Sequence, residues 1–389
     1  MIQDLTDKIK YIGVDDHDVD LFESQYTVDE GMCYNSYLIL DDKIALMDTV
    51  DGSKSEEWLE RLEAALDGRT PDYLVVTHTE PDHAASIGVA LEKYPQMMVV
   101  GNAKTFTMIS NFFANDLTDR TVVVKEGDTL ELGYHTLKFI MAPMIHWPEV
   151  MVAYESSEKI LFSADAFGKF GASDWDQSEG WTCEARRYYY NIVGKYGLQV
   201  QQLLKKLSGV EVNIIAPLHG DPISEDIAYY VKMYDMWSRY QFEDEGVMIA
   251  YASIHGNTRQ AAEEMAEVLK GAGAKCVKLF DLARLDQSFC VEDAFQTQHL
   301  ILASASYDNG LFPPMEHFLH HLASKGYQGR RVALIENGSW APVAGKLMRA
   351  QLEKMKNIEI YDDTLTILST LKPSQHEQME TMAKWILRE

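Results

Sequence analysis

The amino-acid sequence predicts two successive α/β domains, of which the second is a doubly wound parallel sheet. A chain of 389 residues is too long for one small core. Short apolar runs broken by turns fill the first two-thirds, and continuous apolar strands that alternate with helices fill the rest. The acidic stretch QFEDEG, which has no periodicity, separates the two patterns. We therefore expect domains at residues 1–244 and 245–389.

The first domain is predicted to contain many short strands. Runs such as NSYLIL, YLVVTH, HTLKFIMAP, KILFSAD and VNIIAPLHG are rich in Val, Ile and Leu, which is typical of buried strands. Helical stretches lie between some of them. In SEEWLERLEAALDG, for example, Trp58, Leu59, Leu62 and Leu66 recur near helical spacing, and the stretch ends in Gly68.

The second domain alternates strongly apolar strands with helices. VMIAYAS, HLILASAS and RVALIEN have the continuous apolar character of strands buried in a parallel sheet. Between them, NTRQAAEEMAEVLKGAG, PPMEHFLHHLASKG and APVAGKLMRAQLEKM are predicted helices. This alternation is the pattern of a doubly wound α/β sheet.

Charge and composition argue against several classes of partner. The formal net charge of −25, from 60 acidic and 35 basic side chains, disfavours nucleic acid and anionic membrane surfaces. No apolar run approaches the roughly 18 residues that a membrane span needs, and the first residues lack a signal-peptide pattern. We expect a cytoplasmic protein.

The four cysteines form no recognisable module. Cys33, Cys183, Cys276 and Cys290 are scattered, and none belongs to a C-x-x-C pair. A rubredoxin or zinc-ribbon module is therefore absent from this sequence, and we expect buried free thiols in a reducing cytoplasm.

Ionisable side chains follow four of the predicted strands, at the point where each strand ends. The stretch VVTHTEPDHAAS alone places two imidazoles and two carboxylates within six residues; by itself it could equally be a polar surface turn. If the strands lie in neighbouring sheets, their ends bring these groups to one edge, where sites of α/β proteins are built. The candidate ligands are His78, Glu80, Asp82, His83, His146, Asp165 and His219.

A pair of divalent cations would explain this concentration of charge. Without cations, three carboxylates in one pocket would repel one another and lose their hydration. Seven side chains can supply three terminal ligands to each of two ions and one shared carboxylate. Imidazole and carboxylate ligands without thiolate suit iron, manganese or zinc, and the share of carboxylates favours iron or manganese.

The other histidines are predicted to have no part in this site. In HFLHHL, three of them lie at helical spacing and are expected on a solvated helix face: His317, His320 and His321. Those without partners in the sequence are interpreted as structural or surface residues: His17, His135, His299 and His376.

Three loops after strands of the second domain suit a mononucleotide with a planar ring, and FMN is the predicted cofactor. The first loop joins hydroxyls and a glycine to a helix start, which favours a phosphomonoester. The other two carry Tyr307 and Trp340, which could stack on the ring or be ordinary packing. The predicted cofactor-binding residues are Ser253, Ile254, His255, Gly256, Asn257, Thr258, Ser304, Ser306, Tyr307, Asp308, Asn309, Asn337, Gly338, Ser339 and Trp340.

With these motifs the chain resembles the flavodiiron proteins, also called A-type flavoproteins, over essentially its whole length. The family motif H-x-E-x-D-H matches HTEPDH, and HWPE, FSADAFG and PLHGD match the later ligands. The loop SIHGNT is similar to the flavodoxin loop of the family. Zinc hydrolases of the wider superfamily carry H-x-H-x-D-H, so Glu80 is the residue that distinguishes the two groups.

The resemblance implies an N-terminal metallo-β-lactamase-like αββα sandwich and a C-terminal flavodoxin-like doubly wound parallel sheet. It also implies a set of ligands for two irons. One iron would be held by His78, Glu80 and His146. The other would be held by Asp82, His83 and His219. Asp165 would bridge the two.

The resemblance further implies an oxidoreductase that reduces dioxygen to water, nitric oxide to nitrous oxide, or both. Electrons would come from a separate protein, with rubredoxin expected and a reduced deazaflavin as the alternative known in methanogen relatives. A head-to-tail dimer or a dimer of dimers is implied. His146 and the neighbouring Trp147 would shape the gas pocket, and the possible hydrogen-bond donors behind the ligands are Tyr188, Tyr189 and Tyr190.

Two other functions stay open at this point. One is a zinc-dependent hydrolase fused to a flavodoxin, against which Glu80 counts. The other is a non-enzymatic FMN electron carrier whose first domain is a scaffold. The ligand set does not decide between dioxygen and nitric oxide as substrates.

Overall fold

The chain folds into two compact units, Met1–Ser238 and Arg239–Glu389, in a computed structural model that describes residues 2–113, 117, 119–174 and 180–388. The boundary expected between residues 244 and 245 falls inside a strand, Asp244–Ala252. The acidic stretch that suggested this boundary enters the sheet, because Asp244 pairs with Thr297 of a neighbouring strand.

The first unit contains a six-stranded mixed sheet. Its strands in spatial order are β1 (Ile9–Tyr11), β6 (Tyr37–Ile39), β7 (Ala45–Met47), β8 (Tyr73–Val75), β9 (Met98–Gly101) and β10 (Thr121–Val123). The pairs from β1 to β7 are antiparallel and those from β7 to β10 are parallel. The parallel half puts the C-terminal ends of β7 to β9 at one edge, where the loop after β8 begins.

A five-stranded sheet forms the second layer of this unit. Its strands in order are β11 (Thr129–Glu131), β12 (Thr136–Met141), β13 (Met151–Glu155), β14 (Ile160–Phe162) and β15 (Ile214–Ala216), and only β14 and β15 are parallel. Buried side chains of both sheets, including Tyr37, Val75, Phe139 and Phe162, form one core. The two sheets therefore pack face to face across an apolar layer.

Short ribbons and helices complete the first unit. The ribbons pair β2 (Val14–Asp16) with β5 (Met32–Tyr34) and β3 (Leu21–Phe22) with β4 (Tyr26–Thr27). The helices are α1 (Ser55–Leu66), α2 (Pro81–Ala84), α3 (Ile87–Lys93), α4 (Ala103–Phe112), α5 (Trp181–Tyr188), α6 (Gly197–Leu207) and α7 (Ile227–Ser238). Helix α1 buries Trp58, Leu62 and Leu66, three of the four side chains whose spacing predicted it, whereas Leu59 is half-buried.

The second unit is built on a parallel sheet with the order β17-β16-β18-β20-β21, in which β22 also pairs with β20. These strands are β16 (Asp244–Ala252), β17 (Val277–Asp281), β18 (Thr297–Tyr307), β20 (Arg331–Asn337), β21 (Glu359–Ile360) and β22 (Leu365–Ile367). A short antiparallel strand, β19 (Gly310–Leu311), pairs with the end of β18. The strand order reverses at β16, and such reversals in doubly wound sheets open a crevice for ligands.

Helices connect these strands and bury the sheet. They are α8 (Asn257–Gly271), α9 (Gln287–Gln296), α10 (Pro313–Ser324), α11 (Ala344–Leu352) and α12 (His376–Ile386). Ile249, Ile301 and Ile335 of the sheet share a core with Met265 of α8 and Met382 of α12. Within the residues that the structure describes, no helix has the length and apolar character needed to cross a bilayer.

Candidate metal centre

The segment after β8 delivers four of the predicted ligands. His78 lies three residues after the end of the strand, and Glu80 remains extended immediately before α2. Pro81 occupies the first position of α2, where the missing backbone N–H is not needed. The helix then turns Asp82 and His83 to a second position, so one short loop can serve two adjacent groups.

The other three ligands come from the second sheet. His146 lies between β12 and β13, Asp165 follows β14, and His219 follows β15. All three side chains are buried. The turn at Asp165 is tight, because its neighbour Ala164 has a positive φ of 51° and the Ser163 hydroxyl donates to the Ala166 carbonyl at 2.7 Å.

The seven side chains form two neighbouring groups. Ligand atoms lie within 4.8 Å of one another in each group: His78, Glu80, His146 and Asp165 in the first, and Asp82, His83 and His219 in the second. In the first group, Oε2 of Glu80 lies 3.2 Å from Nε2 of His78 and 2.9 Å from Nε2 of His146. In the second, Oδ2 of Asp82 lies 3.2 Å from Nε2 of both His83 and His219.

Asp165 faces both groups with different oxygens. Its Oδ2 atom lies 3.3 Å from His78 Nε2 and 3.2 Å from His146 Nε2. Its Oδ1 atom lies 3.4 Å from His83 Nε2, in the other group. A carboxylate with one oxygen toward each of two clusters has the geometry of a bridging ligand.

The electrostatics of the cluster favour added positive charge. Burial opposes protonation of His83, but Asp82 and Asp165 raise the pKa of its imidazole to about 10. Burial likewise opposes protonation of His146, yet Asp165 and Glu80 raise its pKa to about 9. Conversely, burial would raise the pKa of Asp165, but the imidazoles, His78 foremost, hold it well below its usual range. Protons or metal ions must therefore balance the buried carboxylates.

Unpartnered ligand atoms fit metal ions better than protons. Both carboxylate oxygens of Asp82 and Oδ1 of Asp165 are buried, and among the described residues none of them has a partner in hydrogen-bond geometry, although imidazole nitrogens lie 3.2–3.4 Å from Asp82 Oδ2 and Asp165 Oδ1. Buried carboxylate oxygens normally have such partners. Cations would satisfy them, so the residues present fit a pair of metal ions.

Hydrogen bonds behind the cluster fix the orientation of two histidines. His78 Nδ1 lies 2.9 Å from Oε1 of Glu149, and His219 Nδ1 lies 2.8 Å from the Cys33 carbonyl oxygen. With Nδ1 as the donor, each ring keeps Nε2 unprotonated toward the cluster. The sequence analysis missed Glu149, although it lies within the quoted motif HWPE.

Two of the aromatic candidates lie against the cluster. The ring centroid of Trp147 is 5.3 Å from that of His78, and that of Tyr188 is 5.5 Å from that of His219. Tyr189 and Tyr190 instead pack against Trp237, with centroids 5.4 and 6.2 Å away. Trp147 and Tyr188 therefore wall the candidate centre.

A cavity of about 660 Å³ lies at the C-terminal ends of β16, β18 and β20. All but two of the predicted cofactor-binding residues line it, together with Ala305, Ala341 and Ser369. The exceptions are Gly256, whose amide donates to Ser253 Oγ at 3.1 Å, and Ser304, whose buried hydroxyl donates to the Ala305 carbonyl. Neither contributes a side chain to the cavity wall.

The cavity has the parts that a flavin mononucleotide requires. Gly256 has a φ of 93°, so a residue without Cβ suits the turn that leads into the N-terminus of α8. Backbone N–H groups there, with Asn257 and Thr258, suit a phosphate. Tyr307 and Trp340 are exposed at the wall, the latter at 87% of its surface, and both can stack on a planar ring. Ser306 is already engaged, since its hydroxyl accepts from Val343 N at 2.8 Å.

Comparisons with known proteins agree with this architecture. Residues 32–220 match the family described as ODP family beta lactamase. An uncharacterized protein of Methanocaldococcus jannaschii is 29% identical over 83% of this chain and 82% of its own length. The anaerobic nitric oxide reductase flavorubredoxin of Escherichia coli O1:K1 is 26% identical over 94% of this chain and 78% of its own.

Solved structures match the whole chain. The flavodiiron protein from Giardia intestinalis superposes with a TM-score of 0.93 at 25% identity, covering 100% of this chain and 96% of that one. The rubredoxin oxygen:oxidoreductase from Desulfovibrio gigas also gives 0.93, at 26% identity and coverages of 100% and 98%.

The two folds and the cluster define an oxidoreductase with a metallo-β-lactamase-like unit followed by a flavodoxin-like unit. The predicted fold and enzyme classes are confirmed, and these relatives support neither a zinc hydrolase nor a non-enzymatic carrier. The solved structures that this chain resembles over its whole length include a flavodiiron protein and a rubredoxin oxygen:oxidoreductase.

Proposed function

We propose that this chain reduces dioxygen to water, nitric oxide to nitrous oxide, or both, at two iron ions that receive electrons from FMN. The observation that carries the proposal is the position of Asp165, with one carboxylate oxygen toward each group of ligands. Relatives named as a nitric oxide reductase and as an oxygen oxidoreductase support both gases as candidate substrates.

The ligands divide naturally between two ions. His78, Glu80 and His146 would hold one ion. The Nε2 atoms of the two histidines lie 3.2 and 2.9 Å from Oε2 of Glu80. Asp82, His83 and His219 would hold the other, with Asp165 shared. Imidazole with carboxylate and no thiolate suits iron by ligand type. When bound, the two ferrous ions would together supply two electrons and reduced FMN two more. Their sum is the four electrons that reduction of dioxygen to water needs.

The residues around the cluster prepare it for this chemistry. Glu149 and the Cys33 carbonyl hold the rings of His78 and His219 so that Nε2 points inward. Trp147 and Tyr188 cover the histidines and exclude bulk water from the buried carboxylates. A dry, preorganised site of this kind strengthens electrostatic interactions with a reduced gas.

FMN would occupy the 660 Å³ cavity of the second unit. The turn at Gly256 and the N-terminus of α8 would bind the phosphate, and Tyr307 and Trp340 would flank the ring. The role of each lining residue follows from its position in the wall. Gly256 and Ser304 would act through the backbone.

We further propose rubredoxin as a separate electron donor, because two relatives carry that redox protein in their names and this sequence has no C-x-x-C pair. A head-to-tail homodimer or a dimer of dimers in the cytoplasm completes the proposal. Sedimentation of the FMN-loaded protein would test the assembly.

One experiment tests the central proposal. The protein is loaded with FMN and either iron or zinc, reduced with rubredoxin, and supplied with dioxygen or nitric oxide in parallel. We expect consumption of at least one gas by the iron form alone, because zinc cannot change its oxidation state. Equal behaviour of the two forms, or consumption of neither gas, would refute the proposal.

A further inference from the structure

A second, smaller cavity lies at the opposite edge of the sheet in the second unit. It has a volume of about 260 Å³ and opens where β18, β20 and β21 begin, whereas the flavin cavity lies where the strands end. His299, Arg331 and Glu359 form a row across its floor, because His299 pairs with Arg331 and Arg331 with Glu359 in the sheet register. Phe242, Arg330 and Asn357 complete much of the wall.

Arg330 brings a buried positive charge to this cavity. The residue is only 4% exposed. Its guanidinium donates to the backbone carbonyls of Thr297, Tyr240, Gln328 and Phe295 at 2.7–3.0 Å. Within the described ranges it makes no ion pair, and only carbonyl dipoles and the rings of Phe242 and Tyr327, each with its centroid 5.8 Å from Cζ, face its charge. A buried cation without an opposite charge is costly and attracts an anion.

The neighbouring groups add to this positive potential. Arg331 pairs with Glu359, Nε to Oε2 at 3.3 Å, and Arg388 contacts the same carboxylate. His299 is 7% exposed, and its Nδ1 atom has no hydrogen-bond partner among the described residues. Burial, then Arg331 and Arg330, lower its pKa to about 4. Its neutral ring therefore offers an unused N–H or lone pair.

A basic concavity is unexpected on a chain whose formal net charge is −25. Surface arginines on such a chain are expected to pair with abundant carboxylates, as Arg61 does with Glu57 and Arg259 with Glu263. The cavity keeps an excess of two arginines over one glutamate in its wall. Guanidinium groups beside imidazole and amide donors are the usual partners of oxyanions.

We infer that this cavity is a binding site for a small oxyanion, a phosphate or a carboxylate, separate from the flavin site. Arg331 and the amide of Asn357 would contact the oxygens directly, His299 Nδ1 would donate from the floor, and Arg330 would supply charge from behind. The inference does not depend on the gas that the metal centre reduces.

Calorimetry of the iron- and FMN-loaded protein tests this inference. Saturation with FMN is essential, because inorganic phosphate would otherwise enter the flavin cavity. Inorganic phosphate and succinate are the two probes, and they separate a phosphate ligand from a carboxylate ligand. We expect saturable binding of at least one probe at one site per chain. Failure of both to saturate would overturn the inference.

Two variants locate the binding. Arg331→Gln should weaken it by about tenfold or more, as expected for a lost charge-assisted bond. Asn357→Gly should weaken anion binding less. The variant should keep the backbone conformation, because glycine accepts the φ of 55° at this position. Arg284→Gln, an exposed arginine of the same unit, is the matched control and should change nothing.

Unchanged affinity in both cavity variants would place the anion elsewhere and refute the assignment. If no small anion binds while Arg331→Gln raises the KM for the electron-donor protein, the cavity recognises an acidic protein surface instead. That outcome would equally overturn the inference. Gas reduction in the absence of the anion should be the same in Arg331→Gln and the wild-type protein, which keeps this test independent of the proposed activity.

Discussion

Oε1 of Glu149 lies 2.9 Å from Nδ1 of His78, and the same oxygen accepts from the backbone N–H of Thr79 at 2.9 Å and from its hydroxyl at 2.7 Å. The carboxylate is buried, and His78 lowers its pKa against the effect of burial. A charged carboxylate behind an imidazole makes the opposite nitrogen more basic and fixes its direction. Glu149 is thus a positioning residue for the metal centre.

Glu149→Gln should weaken iron binding by roughly tenfold to a hundredfold, since the neutral amide keeps the shape but loses the charge behind His78. A chelator competition titration measures the iron affinity, and the reduction potential of the centre should shift in the same variant. Thr79→Val, which leaves the carboxylate and removes one of its donors, should have a smaller effect. Wild-type iron affinity in Glu149→Gln would contradict the positioning role.

Asp165→Asn should reduce the iron content from two ions per chain to one or fewer and abolish gas reduction. The amide cannot offer a charged oxygen to each group, and the carboxylates that remain cannot hold both cations. Metal analysis relative to bound FMN gives the number directly. FMN content should not change, and Glu211→Gln, an exposed carboxylate of the same unit, should behave as wild type. Two irons in Asp165→Asn would exclude a bridging role.

Trp340→Ala should weaken FMN binding by roughly tenfold, because an aromatic side chain stacked on the ring contributes about 1 kcal/mol beyond area burial. Titration of the flavin-free protein, followed by quenching of flavin fluorescence, measures the affinity. Trp340→Phe keeps a flat ring and should retain most of it. Equal affinity in all three proteins would show that this exposed tryptophan serves another purpose.

Asp41→Asn should destabilise the first unit at neutral pH and much less in acid. Burial raises the pKa of Asp41, but backbone N–H groups of His135, Asp42 and Tyr134 and the His135 ring lower it to about 2. The folded pKa is below the unfolded value of about 4, so the stabilisation is present above pH 4 and is lost as pH falls toward 2.

Urea unfolding at pH 7 and near pH 2.5 measures this effect, with a loss of about 1–3 kcal/mol expected at pH 7. The exposed Asp29→Asn serves as the control at both values. A difference between Asp41→Asn and wild type that is the same at both pH values would show that the carboxylate charge is not the cause.

The metal cluster could be predicted from the sequence because each ligand lies in a short local pattern. His78, Glu80 and Asp82 are two residues apart, and Asp165 and His219 each lie three residues after the end of an apolar strand. The role of Glu149 was not predicted, since its partner His78 is 71 residues away in the sequence and no local pattern links them. Ser369 was missed for a similar reason, as it reaches the flavin cavity from the loop after β22.

The fold was predictable to the extent that burial shapes the sequence. Strands β16, β18 and β20 are covered on both faces and read as apolar runs. Strand β2, with the sequence VDD, and the two-residue strand β3 carry too few apolar side chains to form a pattern. Ser304 was predicted to bind the cofactor, and it does lie in a predicted strand. Its position in β18, however, turns the hydroxyl into the sheet, where it is fully buried.

The candidate ligands span the chain from His78 to His219, so the proposed irons would cross-link loops that are remote in the sequence. Metal that binds only the folded form stabilises that form by mass action. Under this proposal, iron supply would govern how long the protein survives proteolysis as well as whether it is active. In an iron-starved cell the empty chain, with its unbalanced buried carboxylates, would be degraded first.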